Sequence, residues 1–93
     1  MHKSHLLQIK KLSPEEIEKM GILKWNIWEK EKSVFPWVYT TDESCYFEEG
    51  KVKIIDKAGN EYNLEKGDFV VFPQGLECTW EIIEPVRKRY NFS

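Results

Sequence analysis

Between Gly67 and Cys78 the chain reads Gly67-Asp68-Phe69-Val70-Val71-Phe72-Pro73-Gln74-Gly75-Leu76-Glu77-Cys78. A glycine turn leads into an apolar run, a Pro-x-Gly turn ends it, and a new strand begins. Gly67 and Gly75 permit the tight reversals that L side chains resist, and Pro73 lacks the N–H that would continue a strand ladder. A chain punctuated in this way folds back on itself, which favours short antiparallel strands.

The same punctuation runs through most of the sequence. Leu6 to Leu12 reads as a first strand or extended arm. Ser13-Pro14-Glu15-Glu16 predicts one short helix, with Ser13 as N-cap, Pro14 in the first helical position and Glu16 completing a capping box. Gly21 ends it, and Ile17 and Met20 are expected to form its narrow buried face. Trp25, Ile27 and Trp28 follow, then the charged loop Lys30 to Ser33. Phe35, Trp37 and Tyr39 alternate and are expected to project to one side of a strand. Further strands are expected at Cys45–Phe47, Lys51–Asp56, Tyr62–Leu64, Phe69–Phe72, Glu77–Glu84 and Val86–Phe92. A break is expected at Glu49-Gly50, and a hairpin turn at Lys57-Ala58-Gly59-Asn60 whose Gly59 and Asn60 tolerate positive φ. Six to nine short strands with regular turns indicate an all-β sandwich or barrel. The 93 residues make a single domain, with 1–22 as N-terminal arm and helix and 23–93 as the barrel.

Composition narrows the function classes. The net charge of -2 supplies no long-range attraction for nucleic acid or an anionic membrane. The only basic run, Arg87-Lys88-Arg89, lies in an apolar-alternating segment and reads as solvated charges on a strand. No apolar stretch is long enough to span a membrane. The polar start, Met1-His2-Lys3-Ser4-His5, lacks the apolar stretch of a secretion signal. Two cysteines without such a signal point to the reducing cytoplasm.

The turn residues resemble those of the cupin superfamily, the small RmlC-like jelly-roll barrels. A usual cupin motif is Gly, five residues, Pro-x-Gly, two residues and His; Gly67, Pro73 and Gly75 match, and Cys78 stands at the His position. Another is His-x-His, three or four residues, Glu, six residues and Gly. Glu43 and Gly50 match it, with Trp37 and Tyr39 at the two His positions. From residue 20 to 93 the chain resembles very small cupins grouped with ureidoglycine aminohydrolase-like and ethanolamine-utilisation-Q-like members, most without an assigned function. The resemblance implies an all-β jelly-roll barrel, homodimers as a common arrangement, and often a divalent metal held by imidazoles and a carboxylate. Leu6 to Leu12 can be imagined adding an edge strand to a partner.

The departures bear on that metal. An indole N–H only donates, so Trp37 cannot ligate, and a neutral Tyr39 is a poor ligand. Both histidines, His2 and His5, lie far in sequence from the motifs. Glu43 and Cys78, with Cys45 as a further donor, are the residual set for a divalent ion, too few for tight binding. The expectation is therefore no metal and no cofactor. Cys45 shares strand parity with Glu43, and Cys78 with Trp80, so both thiols are expected to face inward, either as small buried hydrophobes or, at Cys78, as a nucleophile. Lys88 shares a face with Val86, Tyr90 and Phe92. Facing inward it needs a carboxylate, for which Glu43 is the natural partner; otherwise it snorkels outward along Tyr90.

Three functional readings follow. In the first, Trp37, Tyr39, Glu43, Cys45, Phe72, Cys78, Trp80 and Lys88, with Phe35 beside them, line an aromatic site for a small polar or anionic molecule. The second is a metal- or thiol-assisted enzyme of ureidoglycine aminohydrolase or sugar-epimerase type, using Glu43, Tyr39 and Cys78. The third is an interaction module whose barrel is filled with side chains. Trp25 and Trp28 are expected to pack outside the barrel or at a subunit contact.

Overall fold

A computed structural model of the chain describes residues 7–92; His2, His5 and Leu6 lie outside that range. The architecture is an all-β jelly roll with one short helix. Strand β1 spans Gln8–Lys11, helix α1 Pro14–Lys19, a 3-10 turn Ile22–Lys24, β2 Asn26–Lys30 and β3 Ser33–Val38. Then come β4 Glu43–Asp56, β5 Glu61–Glu65, β6 Asp68–Phe72 and β7 Glu77–Phe92.

Two long strands, β4 and β7, organise everything else. They run antiparallel to one another, Glu43 opposite Phe92 at one end and Asp56 opposite Cys78 at the other. Residues 43–46 of β4 pair with β6, which carries β1 on its outer edge, while residues 86–90 of β7 pair with β2. Beyond the middle, residues 51–55 of β4 pair with β5 and residues 77–82 of β7 pair with β3. The ribbon therefore belongs to two sheet halves that face each other.

Each long strand was expected to be two short ones, and the structure corrects this. Gly50 and Pro85 read as strand breaks, but they meet side by side at a bulge where the register shifts between Phe47 and Val52. Gly50 takes φ +103°, and a Cβ there would lie 2.5 Å from Pro85 O and 2.7 Å from Val86 Cα. Absence of a side chain lets the ribbon bend through this point without losing its pairing.

The helix begins as its sequence dictates. Ser13 Oγ accepts from Glu16 N at 3.2 Å, and Glu16 Oε1 accepts from Ser13 N at 3.0 Å. The expected apolar face is not buried, however: α1 contains no buried residue, and Met20 beyond its end is exposed. Asn60 is another correction. No non-glycine residue takes positive φ among the described residues. Asn60 instead donates from its backbone and amide to the Asp56 carboxylate, at 2.8 and 3.0 Å, which closes the hairpin. Of the two alternatives for Leu6 to Leu12, the described part forms the first strand: β1 pairs with β6 and Leu7 joins the core. That pairing is made within the chain.

The core lies between the halves and is built around Trp80. Its ring packs with Trp28, Phe35, Phe47 and Phe72 at centroid separations of 5.7 to 6.2 Å. Among the described residues no helix is long and apolar enough to cross a membrane.

Candidate functional site

At one end of the sandwich the core opens into a cavity of about 240 Å³, lined by Trp28, Phe35, Trp37, Tyr39, Glu43, Trp80, Lys88, Tyr90 and Phe92. Strand alternation places its polar groups. On β7, Val86 and Lys88 are buried while Arg87 and Arg89 face the other way; on β4, Glu43, Cys45 and Phe47 share the inner face. Lys88 is thus carried into the interior, with only 6% of its surface exposed, and Glu43 meets it at 5%.

The ammonium of Lys88 lies 2.8 Å from Glu43 Oε2 and 3.4 Å from Cys45 Sγ. The Cys45 thiol in turn donates to the same Oε2 at 2.9 Å. Four rings surround the ammonium: Trp80 at 4.8 Å, Trp28 at 5.0 Å, Tyr90 at 5.7 Å and Phe72 at 5.9 Å from their centroids. A desolvated cation over an aromatic face gains about 2 kcal/mol, which offsets part of the cost of burying it. Of the basic run, only Lys88 turns inward. Arg87 and Arg89 share the Glu48 carboxylate on the outer face, and Arg89 also donates to Leu23 O at 3.1 Å. The three are an ordered set, not simply solvated charges.

Tyr39 forms a wall of the cavity. Its hydroxyl accepts from Trp80 Nε1 at 3.2 Å, and its ring stacks on Phe72 at 4.7 Å. Burial raises its hydroxyl pKa far above the ordinary phenol range. The thiols behave alike. Burial drives Cys45 well above its usual range and pushes Cys78 up to about 11, so both are protonated at neutral pH.

The residues expected in the site separate into layers. Trp37, Tyr39, Glu43, Trp80 and Lys88 line the cavity with Phe35. Cys45 lies behind the ion pair and Phe72 behind Tyr39, while Cys78 belongs to the core and does not reach the cavity wall. Trp28 corrects an expectation: it lies inside, opposite Lys88 in the β2–β7 register, and packs on Trp80. Trp25 packs on Phe69 instead. Tyr90 and Phe92 were missed as lining residues, although their shared parity with Lys88 was the available signal. Trp37 and Phe92, at 50% and 57% exposed, form the rim.

This arrangement of turns, bent ribbon and cavity has known counterparts. A family model described as the EutQ-like cupin domain matches residues 17–90. The chain belongs to that family. A solved DUF861-family protein from Thermotoga maritima is 49% identical, with a TM-score of 0.93 over 95% of this chain and 100% of that one. EutQ of Clostridium difficile is 20% identical, covering 92% of this chain and 66% of its own, at a TM-score of 0.66. A putative ethanolamine utilization protein Q from Salmonella typhimurium is 19% identical over 95% of this chain and 69% of its own, at 0.65. The last two likenesses show the fold alone. No functionally curated protein matches.

Among the described residues, which do not include His2 and His5, the donor set at the cavity does not fit the divalent metal that cupins often hold. Among the described residues no three His, Cys, Asp or Glu side chains converge. Glu43 is the single carboxylate at the cavity, and the Lys88 ammonium already stands 2.8 Å from its Oε2. Lys88 supplies the positive charge that the carboxylate needs.

Proposed function

We propose that this EutQ-like cupin binds a small polar molecule in the aromatic cavity, over the Glu43–Lys88 pair and without a metal. One observation carries the reading: a buried ion pair lines a cavity whose other walls are almost entirely rings. Ligand sites commonly combine apolar walls with a few convergent polar groups in roughly 300–1,000 Å³. At about 240 Å³ the cavity lies just below that range, so the ligand is small. The space also exceeds one or two waters at about 30 Å³ each, which argues against a filled barrel.

Charge and shape select the ligand further. The paired carboxylate and ammonium leave little net charge, which favours a neutral polar group over a strongly anionic one. Of the three ammonium donors, Glu43 and Cys45 account for two, and Glu43 Oε1 accepts no hydrogen bond among the described residues. A ligand with a donor and an acceptor side by side complements them, and its flat face can lie against Trp28 or Phe35. Two buried free thiols accord with a reducing cytoplasmic setting.

Native mass spectrometry of freshly purified protein, with tryptophan fluorescence titration of candidate flat ligands, tests the reading. Saturable quenching, lost in Trp28→Ala, is the expected result. Stoichiometric metal in protein purified without chelator would overturn it. Protonated thiols behind the cavity and in the core disfavour a cysteine nucleophile as the alternative.

A further inference from the structure

Among the described residues lining the cavity, Lys88 is the only cation, and its ammonium stands among aromatic rings with a carboxylate in hydrogen-bond contact. An amine attacks carbonyl carbon once it has given up a proton; an apolar pocket favours the neutral amine, and a carboxylate in hydrogen-bond contact can accept the proton. Ring faces of Trp80 and Trp28 surround Nζ at 4.8 and 5.0 Å, and Glu43 Oε2 lies at 2.8 Å.

We infer that Lys88 captures a small aldehyde or ketone as a covalent imine, with Glu43 relaying the proton. The inference deepens the binding reading above and rests on it. One proton crosses from the ammonium to Oε2, leaving a neutral amine and a carboxylic acid. The nitrogen lone pair attacks the carbonyl carbon, and the C=O π pair moves onto oxygen. A proton then shifts from nitrogen to that oxygen, giving a carbinolamine. Glu43 returns its proton to the hydroxyl, the C–O bond breaks and water leaves. The balance is Lys–NH3+ + O=CR2 → Lys–NH+=CR2 + H2O, with no oxidant or reductant required. The iminium keeps the ammonium's charge in place, so it retains the Glu43 carboxylate and the aromatic faces. The cavity of about 240 Å³ limits the carbonyl compound to one small flat body.

Brief exposure of the intact protein to benzaldehyde and sodium cyanoborohydride, followed by peptide mapping, reads the reaction directly. Lys88 is expected to gain the benzyl group on the order of 10²-fold faster than an exposed lysine such as Lys32, the scale of a positioned proton-transfer group. Glu43→Gln is expected to remove most of that lead while Lys32 is unaffected. Saturable quenching of tryptophan fluorescence by benzaldehyde with no preference for Lys88 overturns the imine and leaves the binding site standing. Absence of both quenching and preference overturns the two together. Because mapping uses the unmodified chain, the result does not depend on a Lys88 variant folding.

Discussion

Lys88 Nζ lies 2.8 Å from Glu43 Oε2 and 4.8 Å from the centre of the Trp80 ring, so one buried cation is held between a carboxylate and a π face. Buried ion pairs are poor contributors to stability, because desolvation cancels most of the Coulomb gain. Apolar residues of similar volume would fill this space as well or better. A pair kept on a cavity wall despite that cost accords with a binding role for the cavity.

Breaking the pair from one side is expected to be expensive. Lys88→Met leaves the Glu43 carboxylate buried without its cation and should cost about 3–5 kcal/mol in urea unfolding. Adding Glu43→Leu should recover most of that loss. A single variant that loses less than about 1 kcal/mol would mean that the pair is not desolvated as described.

Tyr39 offers a test of a neutral contact. Tyr39→Phe keeps the stacking on Phe72 but removes the acceptor of the buried Trp80 indole N–H. The expected loss is about 1–3 kcal/mol, the cost of one unpaired buried donor. Thermal unfolding indistinguishable from the parent would show that the indole finds another partner.

The bend of the ribbon should be intolerant of a single methyl group. Gly50→Ala forces an L residue to φ +103° against Pro85 O and Val86 Cα. Backbone strain alone is worth about 1–3 kcal/mol, with the clash in addition. Gly59→Ala has similar strain, at φ +91°, but meets nothing within 4 Å and is the control. Equal losses at the two positions would contradict the close approach at the bulge.

Stability is expected to fall at alkaline pH because of the thiols. Folded Cys78 keeps its proton up to about 11, against an ordinary 9.0, chiefly through burial. Between those values the unfolded chain sheds a proton that the folded chain retains, so unfolding becomes easier as pH rises. Below pH 9.0 the contribution is fully present. Cys78→Ala should flatten this decline in urea midpoints, and a decline identical to the parent's would refute the assignment.

What could be read from the sequence was what the backbone requires locally. Ser13 and Glu16 announce a helix start because their side chains satisfy adjacent N–H groups. Gly67 and Gly75 announce reversals because other residues resist positive φ. Gly50 and Pro85 misled for the same reason. Each alone signals a break, and only their meeting across two distant strands turns the break into a bend. Trp28 illustrates the same limit: its inward placement follows from its register with Lys88, which no local pattern encodes. The Glu43–Lys88 pairing was legible as one option, since parity aligns both inward, but parity cannot say whether a lysine stem reaches in or out.

The shared ribbon also bears on how a ligand can arrive. Because β4 and β7 run through both halves, the two sheets stay joined by a continuous paired ribbon, and any parting of them has to flex at the Gly50–Pro85 bulge. A route that needs no such flexing runs past the exposed rings of Trp37 and Phe92, so substitutions at these two positions should alter which molecules reach Lys88 without touching the fold's pairing.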